Sequence, residues 1–160
     1  MWRQMDASDL ATVSAISDAV HGRFTEPVAV YAERLALWPE GCRVLERDGA
    51  VVGYLVSHPW YREAPPKLGA MLGAIPSDAD AYYLHDIALL PVARGAGASK
   101  AALDFVKAQT RTLGLVDIAL MAVGGADRFW AAQGFAYVPR DADPSYGEDA
   151  FLMLGAVLPI

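Results

Sequence analysis

From His85 to Lys100 the chain reads His-Asp-Ile-Ala-Leu-Leu-Pro-Val-Ala-Arg-Gly-Ala-Gly-Ala-Ser-Lys. The apolar run is a buried strand, Gly95 and Gly97 mark a turn, and the alanine-rich stretch beyond opens a long helix. A strand of this kind followed by a helix and a further apolar strand is a βαβ unit, which commits the chain to an α/β architecture. The same turn gathers several main-chain N–H groups at a helix N-terminus, a ready site for phosphate.

The flanking sequence fits around that unit. Residues 1–5 read as a first strand, and Asp6 or Ser8 as the cap of a helix running to about Val20. Leu10, Val13, Ile16 and Val20 recur at helical spacing. Pro27 suits the first turn of a second helix ending near Trp38. Strands are expected at Arg43–Glu46 and Val51–Ser57, joined at Asp48-Gly49, where glycine tolerates the positive φ of a hairpin turn. Residues 58–80 carry His58-Pro59-Trp60-Tyr61, Pro65-Pro66 and Ile75-Pro76. This long irregular segment is a candidate cover for a substrate pocket. Strand Tyr82–Leu90 precedes the helix at Gly97–Leu113, and Gly114 stops that helix. A strand at Val116–Ala122, a short helix at Asp127–Gln133 and strands at Phe135–Val138 and Ala150–Leu154 complete the chain, with 141–147 a turn-rich loop.

Composition narrows the function. A chain of 160 residues that is 54% hydrophobic is one domain, 1–160, with an ample core. The net charge of −6 argues against nucleic acid as a partner, because no basic face is present. No apolar run reaches membrane-spanning length, and the first residues do not resemble a signal peptide. The single cysteine, Cys42, forms no internal disulfide, and a cytoplasmic location is expected. No metal site is expected.

Three kinds of glycine turn compete for the central motif. A P-loop needs Gly-x-x-x-x-Gly-Lys-Ser/Thr, which is missing. A dinucleotide fingerprint needs a third glycine where Lys100 stands. The third kind fits better. Arg94-Gly95-Ala96-Gly97-Ala98-Ser99 resembles the Arg/Gln-x-x-Gly-x-Gly/Ala motif of the GNAT superfamily of acyl-CoA N-acyltransferases, with Ser99 in place of the final Gly or Ala. Phe129-Trp130-Ala131-Ala132-Gln133-Gly134-Phe135 resembles that family's Phe-Tyr-x-x-x-Gly-Phe.

The resemblance implies a mixed central sheet of about six to seven strands flanked by about four helices, in the α/β (α+β) class. It implies acetyl-CoA as co-substrate and a primary amine of a small molecule or peptide as acceptor, with direct attack in a ternary complex. Family members are often dimers, so a homodimer is an expectation. Arg94, Gly95, Ala96, Gly97, Ala98, Ser99 and Lys100 would hold the pyrophosphate, and main-chain groups of Ile87, Ala88 and Leu89 the pantetheine arm. The N–H of Leu89 would stabilise the oxyanion.

An alkyl ammonium of pKa roughly 10.4 is neutral at pH 7 in fewer than about one molecule in a thousand, so a general base helps. His85 is favoured for its ordinary pKa, with Asp86 second. Simple alternation puts Tyr83, His85, Ile87 and Leu89 on one face, and Leu84, Asp86, Ala88 and Leu90 on the other. The family's strand often carries a bulge, which swaps faces. Trp60, Tyr61 and Tyr83 are candidate acceptor contacts, whereas His21 and His58 read as isolated surface or structural residues. Trp130 replaces the family's tyrosine acid and Val123 its usual asparagine. Tyr137 and Tyr146 are possible substitutes for the acid. These departures sustain an alternative, a catalytically weakened acyl-CoA-binding or sensing module. A general nucleotide-phosphate binder is a weaker third reading.

Overall fold

The computed structural model of the protein describes residues 1–158. Among these residues seven strands form one mixed sheet in the order β1-β2-β3-β4-β5-β7-β6. They are β1 (Trp2–Gln4), β2 (Cys42–Arg47), β3 (Ala50–Trp60), β4 (Ala81–Leu89), β5 (Asp117–Ala122), β6 (Ala136–Tyr137) and β7 (Phe151–Ala156). The four α-helices are α1 (Leu10–His21), α2 (Val28–Leu37), α3 (Ala98–Thr112) and α4 (Asp127–Ala132). No helix among the described residues is long and apolar enough to cross a membrane.

Each face of the sheet buries one helix pair. Val13 and Ile16 of α1 and Tyr31 of α2 pack on Val44, Tyr54, Val56 and Ala88. On the opposite face Ala102, Leu103 and Val106 of α3 and Trp130 of α4 meet Tyr82, Leu84, Ile118 and Leu120. The buried stripe of α3 runs Ala98, Ala102, Leu103, Val106 and Thr110. Thr110 is buried with its hydroxyl donating to the Val106 carbonyl, while Leu113 is exposed.

Asp6 provides the first cap. Its carboxylate accepts from Ser8 N and Asp9 reaches back to the Asp6 amide, a reciprocal box over a short 3₁₀ turn from which α1 continues. The second helix begins just after Pro27 and ends before Trp38, as anticipated. β3 is longer than its sequence suggests. It continues through Ser57, His58 and Pro59 to Trp60, so the irregular segment begins only at Tyr61. His58 is therefore a buried strand residue and not a surface one.

Two departures from regular pairing shape the centre of the sheet. Opposite Val56 and Ser57, β4 places Asp86 and Leu84, leaving His85 as an extra residue. This is a β-bulge, and it corrects the simple alternation of faces. Tyr83 before the bulge, His85 within it, and Asp86 and Ala88 after it all turn toward α1 and α2. Ile87 packs with the α3 face instead. The second departure is between β4 and β5, which pair in parallel at Tyr82↔Ile118 and Tyr83↔Ala119 only. Beyond Tyr83 the two strands splay.

Candidate active site

The splay opens a cleft of about 300 Å³. Leu84–Ile87 form one wall, Leu120–Gly124 the other, and Trp130 lies across the α4 side. Val20, His21 and Phe24 close it from the α1 end. A small recess of about 30 Å³ continues from it toward the loops, between Glu26, Leu68 and Tyr146. His21, His85 and Asp86 line both spaces.

Main-chain groups along the β4 wall are free because the ladder alternates. Leu90 N donates to Val52 O on the β3 side, and Ala88 lies opposite Tyr54 in the same ladder. Ile87 and Leu89 therefore point their N–H and C=O away from β3, toward the gap. The Arg94 guanidinium donates to the Leu89 carbonyl at 3.2 Å, which leaves the Leu89 N–H available.

Beyond β4, a 3₁₀ turn at Pro91–Ala93 leads to Arg94 and the glycine turn. Gly95 and Gly97 take φ of +83° and +78°, a region that side-chain-bearing residues seldom adopt. Apart from the adjoining residues, no atom stands within 4 Å of where a Cβ would sit on either glycine. Gly97 is the N-cap of α3 and has no side-chain cap, so the first-turn amides of Ala98, Ser99 and Lys100 lack partners inside the helix. The Lys100 ammonium is exposed and pairs with Asp104 at 2.7 Å.

Two carboxylate–imidazole pairs meet where the cleft joins the recess. His21 Nε2 lies 2.6 Å from Asp86 Oδ1. The other Asp86 oxygen accepts from Tyr31 at 2.9 Å and from Tyr54 at 2.5 Å. His85 Nε2 lies 2.7 Å from Glu26 Oε1, and Glu26 Oε2 accepts from Gly69 N of the 61–80 segment at 2.7 Å.

Burial sets these groups against their charged forms, but their partners prevail. Desolvation acts to raise the Asp86 pKa, yet the His21 hydrogen bond and charge and the Tyr54 hydroxyl hold it below the ordinary 3.8. Burial likewise opposes ionised Glu26, and the His85 charge and hydrogen bond with the Gly69 amide bring it below 4.5. Desolvation disfavours imidazolium at His21, while Asp86 and Glu26 raise its pKa above 6.5. His21 was not anticipated here. It lies 65 residues from Asp86, at the end of a different element, and nothing in its local sequence signals the pairing.

The other candidates separate. Tyr83 is fully buried behind His85, with ring centroids 6.1 Å apart. Trp60 and Tyr61 are outside the cleft lining. Trp60 donates to the Ala64 carbonyl and Tyr61 to Asp78, both within the 61–80 segment. Tyr146 lines the recess, whereas Tyr137 is exposed and donates to Asp127. Trp130 is buried against Phe129 and Phe135 with an edge of the cleft on it. Cys42 is buried, and desolvation pushes its thiol up to about 12.

Comparison with known proteins places this arrangement. No curated protein matches the sequence. Ard1 from Thermoplasma volcanium is similar in fold at 20% identity and TM-score 0.74, covering 99% of this chain and 97% of its own. A GNAT-like decarboxylase, GphF, solved with isobutyryl-CoA, is 19% identical at TM-score 0.75 over 99% of this chain and 100% of its own. The ribosomal-protein-S18-alanine N-acetyltransferase from Escherichia coli is 16% identical at TM-score 0.68, over 98% and 93%. The sequence model of the acetyltransferase (GNAT) family matches residues 10–135, which span both pairs, the glycine turn and Trp130. The chain belongs to the GNAT family of acetyltransferases.

Proposed function

We propose that the protein transfers an acetyl group from acetyl-CoA to a primary amine of a small molecule or peptide, without a covalent acyl-enzyme. The observation that carries this reading is the continuous path along β4. It runs from the uncapped glycine turn, past the Leu89 N–H and the main-chain groups of Ile87, to two carboxylate–imidazole pairs.

The residues present fit an acyl-CoA. The amides from Gly95 to Lys100, with the dipole of α3, suit a pyrophosphate. Arg94 adds a cation near that turn in a chain that is otherwise acidic. The pantetheine arm carries amides, which match the unpaired edge of β4 at Ile87 and Leu89, whereas the main chain of Ala88, expected to share in this contact, faces β3. When bound, acetyl-CoA supplies a thioester activated for attack. The Leu89 N–H would donate to the carbonyl oxygen as charge develops there.

The acceptor enters from the α1–α2 side. An ammonium is attracted by Asp86 and Glu26, and one of the two pairs must accept its proton before attack. Trp130 donates no useful proton to the departing thiolate. A thiol of pKa near roughly 8.5 leaves without that help. Likeness in fold to a ribosomal-protein-S18-alanine N-acetyltransferase makes a peptide that begins with alanine one member of the acceptor class to try.

Calorimetry with acetyl-CoA, together with thiol release across n-alkylamines, lysine methyl ester and alanyl tripeptides, tests the reading. Binding accompanied by amine-dependent release is expected. Tight binding without release for any amine would favour the acyl-CoA-sensing alternative that Trp130 and Val123 keep open. A chain that binds ATP or NAD in preference to acetyl-CoA is neither.

A further inference from the structure

The two pairs are not equivalent, and the difference lies in the second nitrogen of each imidazole. The His85 side chain is only 1% exposed. Its Nε2 faces Glu26, and its Nδ1 is sealed from solvent without a partner. The His21 side chain is 18% exposed. Its Nε2 faces Asp86, and its Nδ1 makes no hydrogen bond among the described residues yet is not sealed off. An ionised Asp86 only accepts, so His21 Nε2 carries the hydrogen and Nδ1 presents a lone pair. Tyr31 and Tyr54 fix Asp86 from behind, and Ser17 in turn contacts Tyr31 at 2.7 Å. This is the arrangement in which a carboxylate orients an imidazole for proton transfer.

We propose that His21, at the C-terminal end of α1, is the general base for the acceptor amine, and that Asp86 is its positioning residue. The assignment rests on the acyl-transfer reading above and names the group that acts in it. His21 Nδ1 takes one proton from the acceptor ammonium. The freed nitrogen lone pair forms the C–N bond as the C–S bond breaks, and the nitrogen's surplus proton ends on the departing thiolate. His85 and Glu26 form the inner wall of the acceptor recess, with Glu26 also anchoring the 61–80 segment through Gly69. The groups facing His21 are Asp86 and His85 from β4, Glu26 ahead of α2 and Tyr146 from the loop before β7.

The test combines a pH–rate series with chemical rescue, using whichever of the named amines the wild-type protein acetylates. Wild type should gain rate with rising pH through one ionisation that matches His21 in nitrogen-15 histidine spectra. H21Q should lose about 100-fold or more in kcat/KM, keep its affinity for acetyl-CoA, and lose that ionisation. H85Q should retain the ionisation. D86N should lower the rate and move the ionisation to lower pH, an effect that loss of packing alone does not produce. Added imidazole should restore activity to H21A.

H21Q within about threefold of wild type overturns the assignment while leaving acyl transfer intact. So does an ionisation that disappears in H85Q, or rescue of H85A by imidazole in place of H21A. A wild-type protein that binds no acetyl-CoA overturns the parent reading, and His21 as base with it.

Discussion

His58 is an imidazole that the fold keeps neutral. Burial, with the nearby charges of His85 and Arg34, lowers its pKa from 6.5 to about 3, although the contact with the Pro59 carbonyl resists this. Between those values the unfolded chain binds a proton that the folded chain refuses. Stability therefore falls as pH drops through this window, by up to about 1.4 kcal/mol per unit. Asp86 and Glu26, with ordinary values of 3.8 and 4.5, act in the same direction at lower pH, where their depressed folded pKa values are passed. His21 acts oppositely. Its raised pKa adds stability that is complete below 6.5 and lost as pH rises through the folded value. Urea titrations from about pH 5.5 down to about pH 5, where both states hold His21 largely protonated, thus report chiefly on His58, and H58Q should flatten that slope.

Gly41 makes a second prediction at the same scale. A Cβ there would lie 2.0 Å from the Ser57 main-chain oxygen, and Ser57 already donates its hydroxyl to the Gly41 carbonyl. G41A must push β3 at Ser57 away from the turn that precedes β2. A loss of about 1–3 kcal/mol in denaturant unfolding is expected.

At the scale of elements, the turn into α3 separates binding from folding. Gly97 sits at φ +78° over open space, so a side chain there strains the turn without striking the core. G97V should fold, with a modest fall in melting temperature, and weaken acetyl-CoA at least about tenfold by calorimetry. Unchanged affinity would remove the turn from the binding site. This turn was the most legible feature of the sequence, because φ requirements and helix starts are local. The strand before it was legible as a strand but not in its faces. A bulge at His85 arises from pairing with β3, and no property of residues 81–89 alone reveals which residue is extra. The short strands β6 and β7 were found with shifted ends. Phe135 leaves the expected strand for the core, where its ring stands 2.8 Å from a Cβ built on Gly155.

Across the whole molecule, carboxylates from the segment containing α2 hold down the long 61–80 connection. Glu33 accepts from Leu72 N at 2.6 Å and Gly73 N at 3.1 Å, and Glu26 accepts from Gly69 N. Ser145 accepts from Leu68 N at 3.1 Å, which ties in the loop before β7. E33Q should speed hydrogen exchange across 68–73 while leaving the amides of α3 and β4 protected. Ligand linkage belongs to this scale too. Acetyl-CoA at 100 times its Kd should stabilise the fold by about 2.7 kcal/mol, and NAD or ATP at the same concentration should not.

Local rules were enough for the βαβ centre, the glycine turn, the helices and the number of strands. Periodicity, capping and φ preference act over a few residues and are written in the chain in order. Tertiary structure alone decided the rest. The end of α1 brings His21 to Asp86 across 65 positions, and the residue before Pro27 brings Glu26 to His85 across 59. Those pairings depend on a bulge, a splay between two strands and the packing of two helices on one face. Each is set by which elements become neighbours, and no local pattern in the sequence encodes that.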